Sequence, residues 1–263
     1  MKAFAFLNVD IPWIAWLVYR GEIVSQKASN THALSVWHAK YLIDCARSGE
    51  RVSYYKMEMA LENIRRASFQ DNVSRLSGLY FFENVESARR AGQRWDGNFD
   101  EKHLAEVEIV GKPVVSRYDS EWVTHNAEII DPMWMKSYLS GSQMGENSLW
   151  ELLVEGRGFV LGTDVRKLAY ETIKRAWPKS LALLELSRVA VELNSDLGLI
   201  CPFLVTESDK IRLTLQISFA DAKNPDFLER FSRYAGPKNT ADLNPSADLV
   251  LPDLSEYFTE FAL

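Results

Sequence analysis

Residues 150–161 read WELLVEGRGFVL, an apolar stretch that is rich in β-favouring residues and interrupted by glycine. The pattern predicts two strands, Trp150–Val154 and Gly158–Leu161. A helix is predicted directly afterwards, over Asp164–Trp177, with Asp164 as its N-cap and a proline behind its last residue. Both short strands and helices are predicted along most of the chain.

The same periodicity predicts the elements on both sides of this stretch. Upstream, strands are predicted at residues 3–9, 13–19, 52–56, 76–82, 104–110 and 114–117, and helices at residues 32–48, 58–67, 85–95 and 131–140. Downstream, residues 181–193 fit either a helix or a pair of strands, residues 198–206 and 211–219 predict a hairpin, and residues 226–234 predict a short helix.

The composition is that of a globular protein, with 47% hydrophobic and 25% charged residues among 263. This excludes a disordered, collagen-like or disulfide-scaffold protein. The net charge of −6 gives no overall basic surface of the kind that binds nucleic acid. Aromatic residues reach 12%, and they can either fill a core or stack on flat ligands.

Several kinds of site lack support in the sequence. The four histidines have no partner at metal-ligand spacing, so no metal is predicted. Cys45 and Cys201 are far apart and are expected to be buried thiols in a reducing cytosol. The apolar run Ile11–Tyr19 is too short to span a membrane, and no leader cleavage site follows it. We therefore expect a cytoplasmic protein with no membrane partner.

Three segments taken together carry candidate chemistry: Arg51–Lys56, Ser77–Phe82 and Leu149–Val154. The second reads SGLYFF and precedes a helix that opens with Ser87-Ala88. It resembles the ADP-ribosyltransferase superfamily, in which a small-residue turn leads into a Gly-x-Tyr-Phe strand and then a helix opening with Ser-Ala. The third resembles the strand of the same superfamily that carries its invariant glutamate, here Glu151.

The resemblance covers residues 50–165, and the part from residue 104 to 151 is similar to an uncharacterised bacterial branch. It implies an α+β fold, namely an ADP-ribosyltransferase-like split β-sandwich flanked by helices. Residues 51–178 are then the NAD-binding core. Residues 1–50 are expected to be a strand–helix extension packed on that core, and residues 179–263 a C-terminal α+β extension that serves a substrate or a partner.

The reaction implied by this resemblance breaks the bond between nicotinamide and ribose in NAD, which is a substrate. Its transition state resembles an oxocarbenium ion, which a nearby carboxylate stabilises. Glu151 is the predicted carboxylate, and Tyr80 is the aromatic residue predicted to hold nicotinamide. Glu155 lies on the same strand face and is an alternative carboxylate, although its position beside Gly156 at a strand end favours Glu151. Tyr80 could also be an ordinary core residue.

The remaining predicted NAD contacts are Arg51, Tyr54, Tyr55, Ser77 and Gly78. The first strand of the superfamily usually offers His or Arg to the adenosine-side ribose. This chain departs from that pattern, and Tyr55 lies nearest the expected position. Arg51 is either a ligand or an exposed charge at a strand start. Ser77, with Ser74 and Arg75 before it, either contacts the pyrophosphate or caps a turn.

The acceptor of ADP-ribose is predicted from local charge. Leu149 occupies the position at which arginine-modifying members carry Glu or Gln, which counts against an arginine acceptor. Two basic groups flank the proposed cleft: Arg65, Arg66, Arg75, Arg89, Arg90 and Arg94, and Arg157, Arg166, Lys167, Lys174, Arg175 and Lys179. They either track a phosphate backbone or are solvated helix faces. An acidic tail follows: Asp242, Asp248, Asp253, Glu256 and Glu260.

These features predict a mono-ADP-ribosyltransferase toxin that modifies nucleic acid, with RNA favoured, in a toxin–antitoxin or anti-phage system. An antitoxin protein is then the expected partner. The acidic tail either shields the basic surface, docks a partner or is a plain disordered end. One alternative is a transferase that modifies a host or phage protein side chain. Another, of a different class, is a catalytically inactive interaction module with the same fold.

Overall fold

The computed structural model describes residues 1–25, 34–48, 53–94, 100–127, 129–207, 210–237 and 249–262. In chain order the elements are β1 (Lys2–Phe6), α1 (Pro12–Arg20), β2 (Glu22–Val24), α2 (Val36–Ser48), α3 (Ser53–Ser68), β3 (Leu79–Phe81), α4 (Val85–Arg94), β4 (Leu104–Asp119), α5 (Glu121–Asn126), α6 (Pro132–Leu139), β5 (Trp150–Val160), α7 (Thr163–Ala176), α8 (Leu181–Glu192), β6 (Ile200–Glu207), β7 (Lys210–Ile217), α9 (Pro225–Ser232) and β8 (Thr259–Ala262). The predicted α+β class is confirmed.

Strand β5 organises the larger sheet, because it pairs antiparallel with β2, β3 and β4. The strand order is β1-β4-β5-β2, and β3 lies off this path beside β5. One strand was predicted before Gly156 and another after it, but the structure has one continuous strand, β5. Glycine allows a close approach of the two strands there, because a Cβ would lie 3.2 Å from the Cβ of Pro113 on β4. The two strands predicted at 104–110 and 114–117 likewise merge into β4, which is bulged between Val110 and Val114.

The first 50 residues, predicted as an extension packed on a core, contribute strands to this same sheet. β1 pairs with β4, and β2 pairs with β5. The strand predicted at 13–19 is wrong, because this segment is helix α1 with Pro12 at its first position. Trp13 and Trp16 on it are both fully buried. A helix that is apolar on nearly all sides shows no periodicity by which it could be told from a buried strand.

The strand predicted at 52–56 is also wrong: from Ser53 onward the segment is helix α3. Its paired tyrosines favour a strand by propensity. The buried residues Met57, Glu58 and Leu61 instead recur at helical spacing, and they pack toward the sheet. Tertiary packing of this helix face therefore overrides the local preference. Arg51, predicted as a ligand on this strand, lies outside the described residues.

Most of the elements predicted after residue 160 are confirmed. The ambiguous segment 181–193 is helix α8, and the hairpin is confirmed as β6 and β7. Helix α7 is confirmed too, although its N-cap is Gly162 rather than Asp164, which lies in the first turn. Strand β8 adds to β7 and completes a second sheet of order β6-β7-β8. The tail residue Glu260 on β8 forms ion pairs with Lys210 and Arg212.

The main core includes buried residues from both sheets, from Ala3 on β1 to Leu213 on β7 and Tyr257 near the end of the chain. A second cluster lies on one face of the larger sheet, where α3 and α6 cover Leu153 of β5 and Tyr118 of β4. The candidate site lies beside this second cluster. None of the helices in the described ranges combines the length and the apolar character that crossing a bilayer requires.

Candidate functional site

A cavity of about 430 Å³ opens where β3 and β5 meet α2, α3 and α5. Its aromatic lining residues are Phe6, Trp37, His38, Tyr41, Tyr54, Tyr80, Phe81 and Phe82. Its other lining residues are Arg75, Ser120, Val123, Thr124, Ala127 and Glu151. Binding sites for small molecules are usually of this size and character, with a mainly apolar wall and a few polar groups.

The two residues predicted as catalytic, Tyr80 and Glu151, both line this cavity. Tyr80 on β3 is directly opposite Leu153 on β5. Glu151 lies two residues away from Leu153 on the same strand, so its side chain is on the same sheet face. The antiparallel pairing of two short sequence motifs is thus what brings this tyrosine and this glutamate into one pocket.

Glu151 is held by two donors at one of its oxygens. Its Oε1 accepts a hydrogen bond from the Tyr138 hydroxyl at 2.7 Å and another from Arg75 Nη1 at 2.6 Å. The residue as a whole is only 5% exposed. Oε2 accepts no hydrogen bond from the residues that the structure describes. The carboxylate therefore has a fixed orientation and retains acceptor capacity toward the cavity.

Arg75 is bound more extensively to a second carboxylate, Glu58 on α3. Arg75 Nε lies 3.0 and 2.9 Å from the two Glu58 oxygens, and Nη2 lies 2.9 Å from Oε1. The guanidinium also stacks between two aromatic rings, 5.1 Å from the centroid of Tyr80 and 5.2 Å from that of Tyr138. Arg75 thereby connects both predicted catalytic residues to α3.

The cluster keeps its charges in spite of burial. Burial alone would raise the pKa of Glu58, but the Arg75 guanidinium and His38 outweigh this and hold the pKa well below its usual range. Burial lowers the pKa of Arg75, and the opposing charge of Glu58 more than reverses this. Burial raises the pKa of Tyr80 and Tyr138 well above the ordinary value. At neutral pH the carboxylate and guanidinium are therefore charged, and both tyrosines are protonated.

Trp37, His38 and Tyr80 form one aromatic side of the cavity. The Trp37 and Tyr80 ring centroids are 5.6 Å apart, and those of His38 and Tyr80 are 5.8 Å apart. The Tyr80 hydroxyl already donates its hydrogen bond to the Arg75 carbonyl at 2.8 Å, so it does not offer a donor to a ligand. Tyr80 thus offers a fixed ring surface rather than a polar group.

His38 is one of three polar residues that sequence reasoning missed, since no metal-ligand spacing identified it. Its Nδ1 lies 3.1 Å from the Ser35 hydroxyl, and that hydroxyl also accepts the His38 backbone N–H at 3.2 Å as a helix cap. Nε2 has no hydrogen-bond partner among the described residues. It lies 3.6 Å from Glu58 Oε1, which is too far for a hydrogen bond but within ion-pair range when the ring is protonated.

The other predicted NAD contacts divide between two locations. Tyr54 lines the cavity. Its neighbour Tyr55 lies in the main core, where burial raises its pKa to about 12. This division follows from the helix, which turns adjacent residues in different directions. Ser77 and Gly78 are not among the lining residues. A Cβ on Gly78 would lie 2.7 Å from the Ser74 carbonyl, so its role in the structure is a tight turn.

Glu155, the alternative carboxylate, is not a lining residue of the cavity either. It lies four residues further along β5 than Glu151, which is about 13 Å in a strand. Glu58 and Tyr138 escaped sequence reasoning altogether. For Glu58 the signal was a carboxylate on the apolar stripe of a helix, flanked by Tyr54 and Leu61 at helical spacing.

Many of the basic residues expected to form a nucleic-acid surface are already paired. The carboxylate partners are Glu62 for Arg65 and Arg66, Glu101 for Arg89, Glu121 for Arg94, and Glu22 with Asp196 for Arg157. Arg75 is buried, and Arg166 donates to the Tyr19 carbonyl at 3.0 Å. Because each ion pair cancels a positive charge, the local field is weaker than the basic clusters alone would imply.

Comparison with known proteins adds no relative: neither the models of protein families nor the sequences of curated proteins give a match to this chain.

Proposed function

We propose that this protein is an NAD-dependent mono-ADP-ribosyltransferase. The observation that carries the proposal is the position of Glu151 and Tyr80, which line one aromatic cavity on the same face of the sheet. The resemblance of the two short motifs concerns local sequence only. The meeting of their key residues in a pocket is independent support, because most pairs of residues so far apart in sequence do not share a cavity.

The proposed reaction breaks the C–N bond between the ribose and the nicotinamide of NAD. The electron pair leaves with neutral nicotinamide, and the ribose acquires oxocarbenium character. An acceptor hydroxyl or amine then attacks the same carbon and loses a proton. The Glu151 carboxylate stabilises the positive charge that develops at the ribose. The rings of Tyr80 and Trp37 hold the planar leaving group by stacking.

The cavity suits the nicotinamide riboside half of NAD in three respects. Its wall is largely aromatic, and a cationic ring stacks favourably on aromatic faces. Glu151 is the carboxylate in the lining, so the negative charge that a cation requires is present. His38 Nε2, buried and without a hydrogen-bond partner in the described structure, is a group that a bound ligand could satisfy.

Release of nicotinamide from labelled NAD tests the proposal, with Glu151→Gln and Glu155→Gln as a matched pair on one strand. Glu151→Gln removes the negative charge at nearly constant shape, and we expect a loss of about 100- to 1,000-fold in rate. Glu155→Gln is expected to remain within about threefold of wild type, because Glu155 is not part of the cavity lining. A wild-type protein that releases no nicotinamide, or equal rates for Glu151→Gln and wild type, contradicts the proposal.

The identity of the ADP-ribose acceptor is a separate proposal. The acceptor that we propose is nucleic acid, with RNA favoured. The pairing of Arg66, Arg89 and Arg94 with carboxylates weakens its support and strengthens that of a protein side chain. The experiment is transfer of adenine-labelled NAD to total cellular RNA and protein, followed by nuclease or protease digestion. Label that survives nuclease but is released by protease would identify a protein acceptor and overturn the RNA proposal.

The binding-module alternative also has an observation in its favour. The ion pair between Arg75 and Glu151 offsets part of the negative charge that the reaction uses. A protein that binds NAD in equilibrium dialysis, without releasing nicotinamide over hours, would support this alternative over the transferase.

A further inference from the structure

We infer that Glu58 is a positioning residue, which acts through Arg75 to leave Glu151 charged and correctly oriented. This inference rests on the proposed function, in which the Glu151 carboxylate stabilises positive charge. Glu58 does not line the cavity, so its effect on a bound ligand is indirect. The chain of contacts is short and continuous: Glu58 binds Arg75, and Arg75 binds Glu151.

The unequal sharing of Arg75 between two carboxylates is the first step of the inference. Glu58 receives three of its contacts, at 2.9 to 3.0 Å, from Nε and Nη2. Glu151 receives one, from Nη1. A guanidinium that is bound edge-on to one carboxylate cannot make the same two-pronged contact with a second through those nitrogens. The second N–H of Nη2 points to the Tyr54 hydroxyl at 3.3 Å, and Nη1 also donates to the Tyr138 hydroxyl at 2.5 Å. With Glu58 fixing the orientation of the guanidinium, one hydrogen bond to Glu151 remains.

The second step concerns the charge of Glu151. Without Glu58 the Arg75 guanidinium would be free to turn onto Glu151 and bind both of its oxygens. A carboxylate bound in this way has little remaining capacity to stabilise a developing cation, because its field is cancelled at short range. It would also lose the free acceptor position at Oε2. Glu58 thus competes for Arg75 and maintains the carboxylate in an available state.

Tyr138 supplies the third contact in this arrangement. Its hydroxyl donates to Glu151 Oε1, the same oxygen that Arg75 binds, and its ring stacks on Tyr118 at 4.4 Å between centroids. Because Tyr118 is directly opposite Glu151 in the β4–β5 pairing, the stack braces the donor against the same pair of strands. Both donors therefore hold Oε1.

The test compares Glu58→Gln with Glu62→Gln, a matched change one helical turn away on α3. Glu62 is also a buried carboxylate, and its partners Arg65, Arg66 and Ser74 form no hydrogen bond with Glu151 in the described structure. In the full-length protein we expect Glu58→Gln to lower kcat for nicotinamide release about 10- to 100-fold. The KM for NAD is expected to change by less than about threefold in both variants. The kcat of Glu62→Gln is expected to equal that of wild type.

If Glu58 has a purely structural role, Glu58→Gln and Glu62→Gln should lose kcat equally when they lose equal amounts of unfolding free energy. That outcome overturns the inference. If Glu58→Gln does not fold, Tyr138→Phe provides the second route, because it removes the hydroxyl that donates to Glu151 Oε1 and accepts from Arg75 Nη1, and it leaves the Glu58–Arg75 pair in place. It is expected to lower kcat about tenfold with an unchanged KM, and a kcat equal to wild type would count against the arrangement.

Crystal structures of wild type and Glu58→Gln keep this inference separate from the proposed function. We expect Arg75 to have turned in the variant, so that both Glu151 oxygens accept hydrogen bonds from it. An Arg75–Glu151 contact that is the same in both structures overturns the positioning role, even if wild type is an active transferase. If wild type releases no nicotinamide, the proposed function fails, and the structural comparison still decides whether Glu58 controls Arg75.

Discussion

Among the described residues, two buried arginines are each paired with buried glutamate, and the two regions differ in what surrounds the charges. In the first, Arg75 is shared by Glu58 and Glu151 in the wall of a cavity. In the second, the guanidinium of Arg20 at the end of α1 donates to Glu22 on β2, and Arg157 on β5 binds the other oxygen of the same carboxylate.

The Arg20 region is fully satisfied. All three nitrogens of its guanidinium donate, to Glu22 and to the carbonyls of Ser195 and Leu197. It joins the larger sheet to the segment before β6 and adjoins no part of the cavity. The Arg75 region instead leaves acceptor capacity on Glu151, and within the described structure His38 Nε2 has no hydrogen-bond partner. A buried ion pair alone is thus weak evidence of function, whereas incomplete satisfaction beside a cavity points to a ligand.

The largest expected effect comes from removing each arginine in turn. Arg75→Met and Arg20→Met each leave a buried carboxylate without its main partner, so we expect both to lose about 3–5 kcal/mol of unfolding free energy. Only Arg75→Met should also lower the rate of nicotinamide release per folded molecule, by about 100-fold. Urea unfolding and activity at a temperature where both variants are folded measure the two effects. Equal activity losses would show that the regions do not differ in this respect.

The next expected effect concerns the unfolding free energy at acid pH. The pKa of Glu58 in the folded protein is below its ordinary value of 4.5. Its ionisation therefore contributes stability that is complete above that value and is lost as the pH falls below it. In Glu58→Gln the unfolding free energy should fall less steeply between about pH 5 and pH 2. Urea titrations at several pH values measure this slope, and parallel slopes for variant and wild type would contradict the expectation.

The smallest effect is expected from single hydroxyl groups. Tyr80→Phe removes the bond to the Arg75 carbonyl, and Tyr19→Phe removes a bond to Glu185 at 3.2 Å, remote from the cavity. Each should cost about 1 kcal/mol of unfolding free energy. Because the ring of Tyr80 is the proposed ligand surface, Tyr80→Phe should retain the KM for NAD. A KM that rises about tenfold or more would assign a direct ligand role to the hydroxyl.

Local sequence predicted the elements correctly where short-range signals determine them. The helices near residues 85–95 and 131–140 and the hairpin near 198–219 are confirmed, because capping residues, apolar spacing and turn residues act over a few positions. The two segments predicted as strands that are helices, α1 and the start of α3, have apolar or aromatic residues that fit a strand when considered alone. Burial by distant parts of the chain decided both in favour of a helix.

For the site, the sequence determined which chemical groups are available: a glutamate in an apolar strand, a tyrosine in an aromatic strand, and a charged helix between them. Tertiary structure alone decided that Glu151 and Tyr80 share a cavity, that Tyr54 and not Tyr55 joins them, and that Arg75 divides its donors between two carboxylates. The physical reason is that strand pairing and helix packing operate between segments tens of residues apart. Local spacing carries the periodicity of one element, but not the register in which two elements meet.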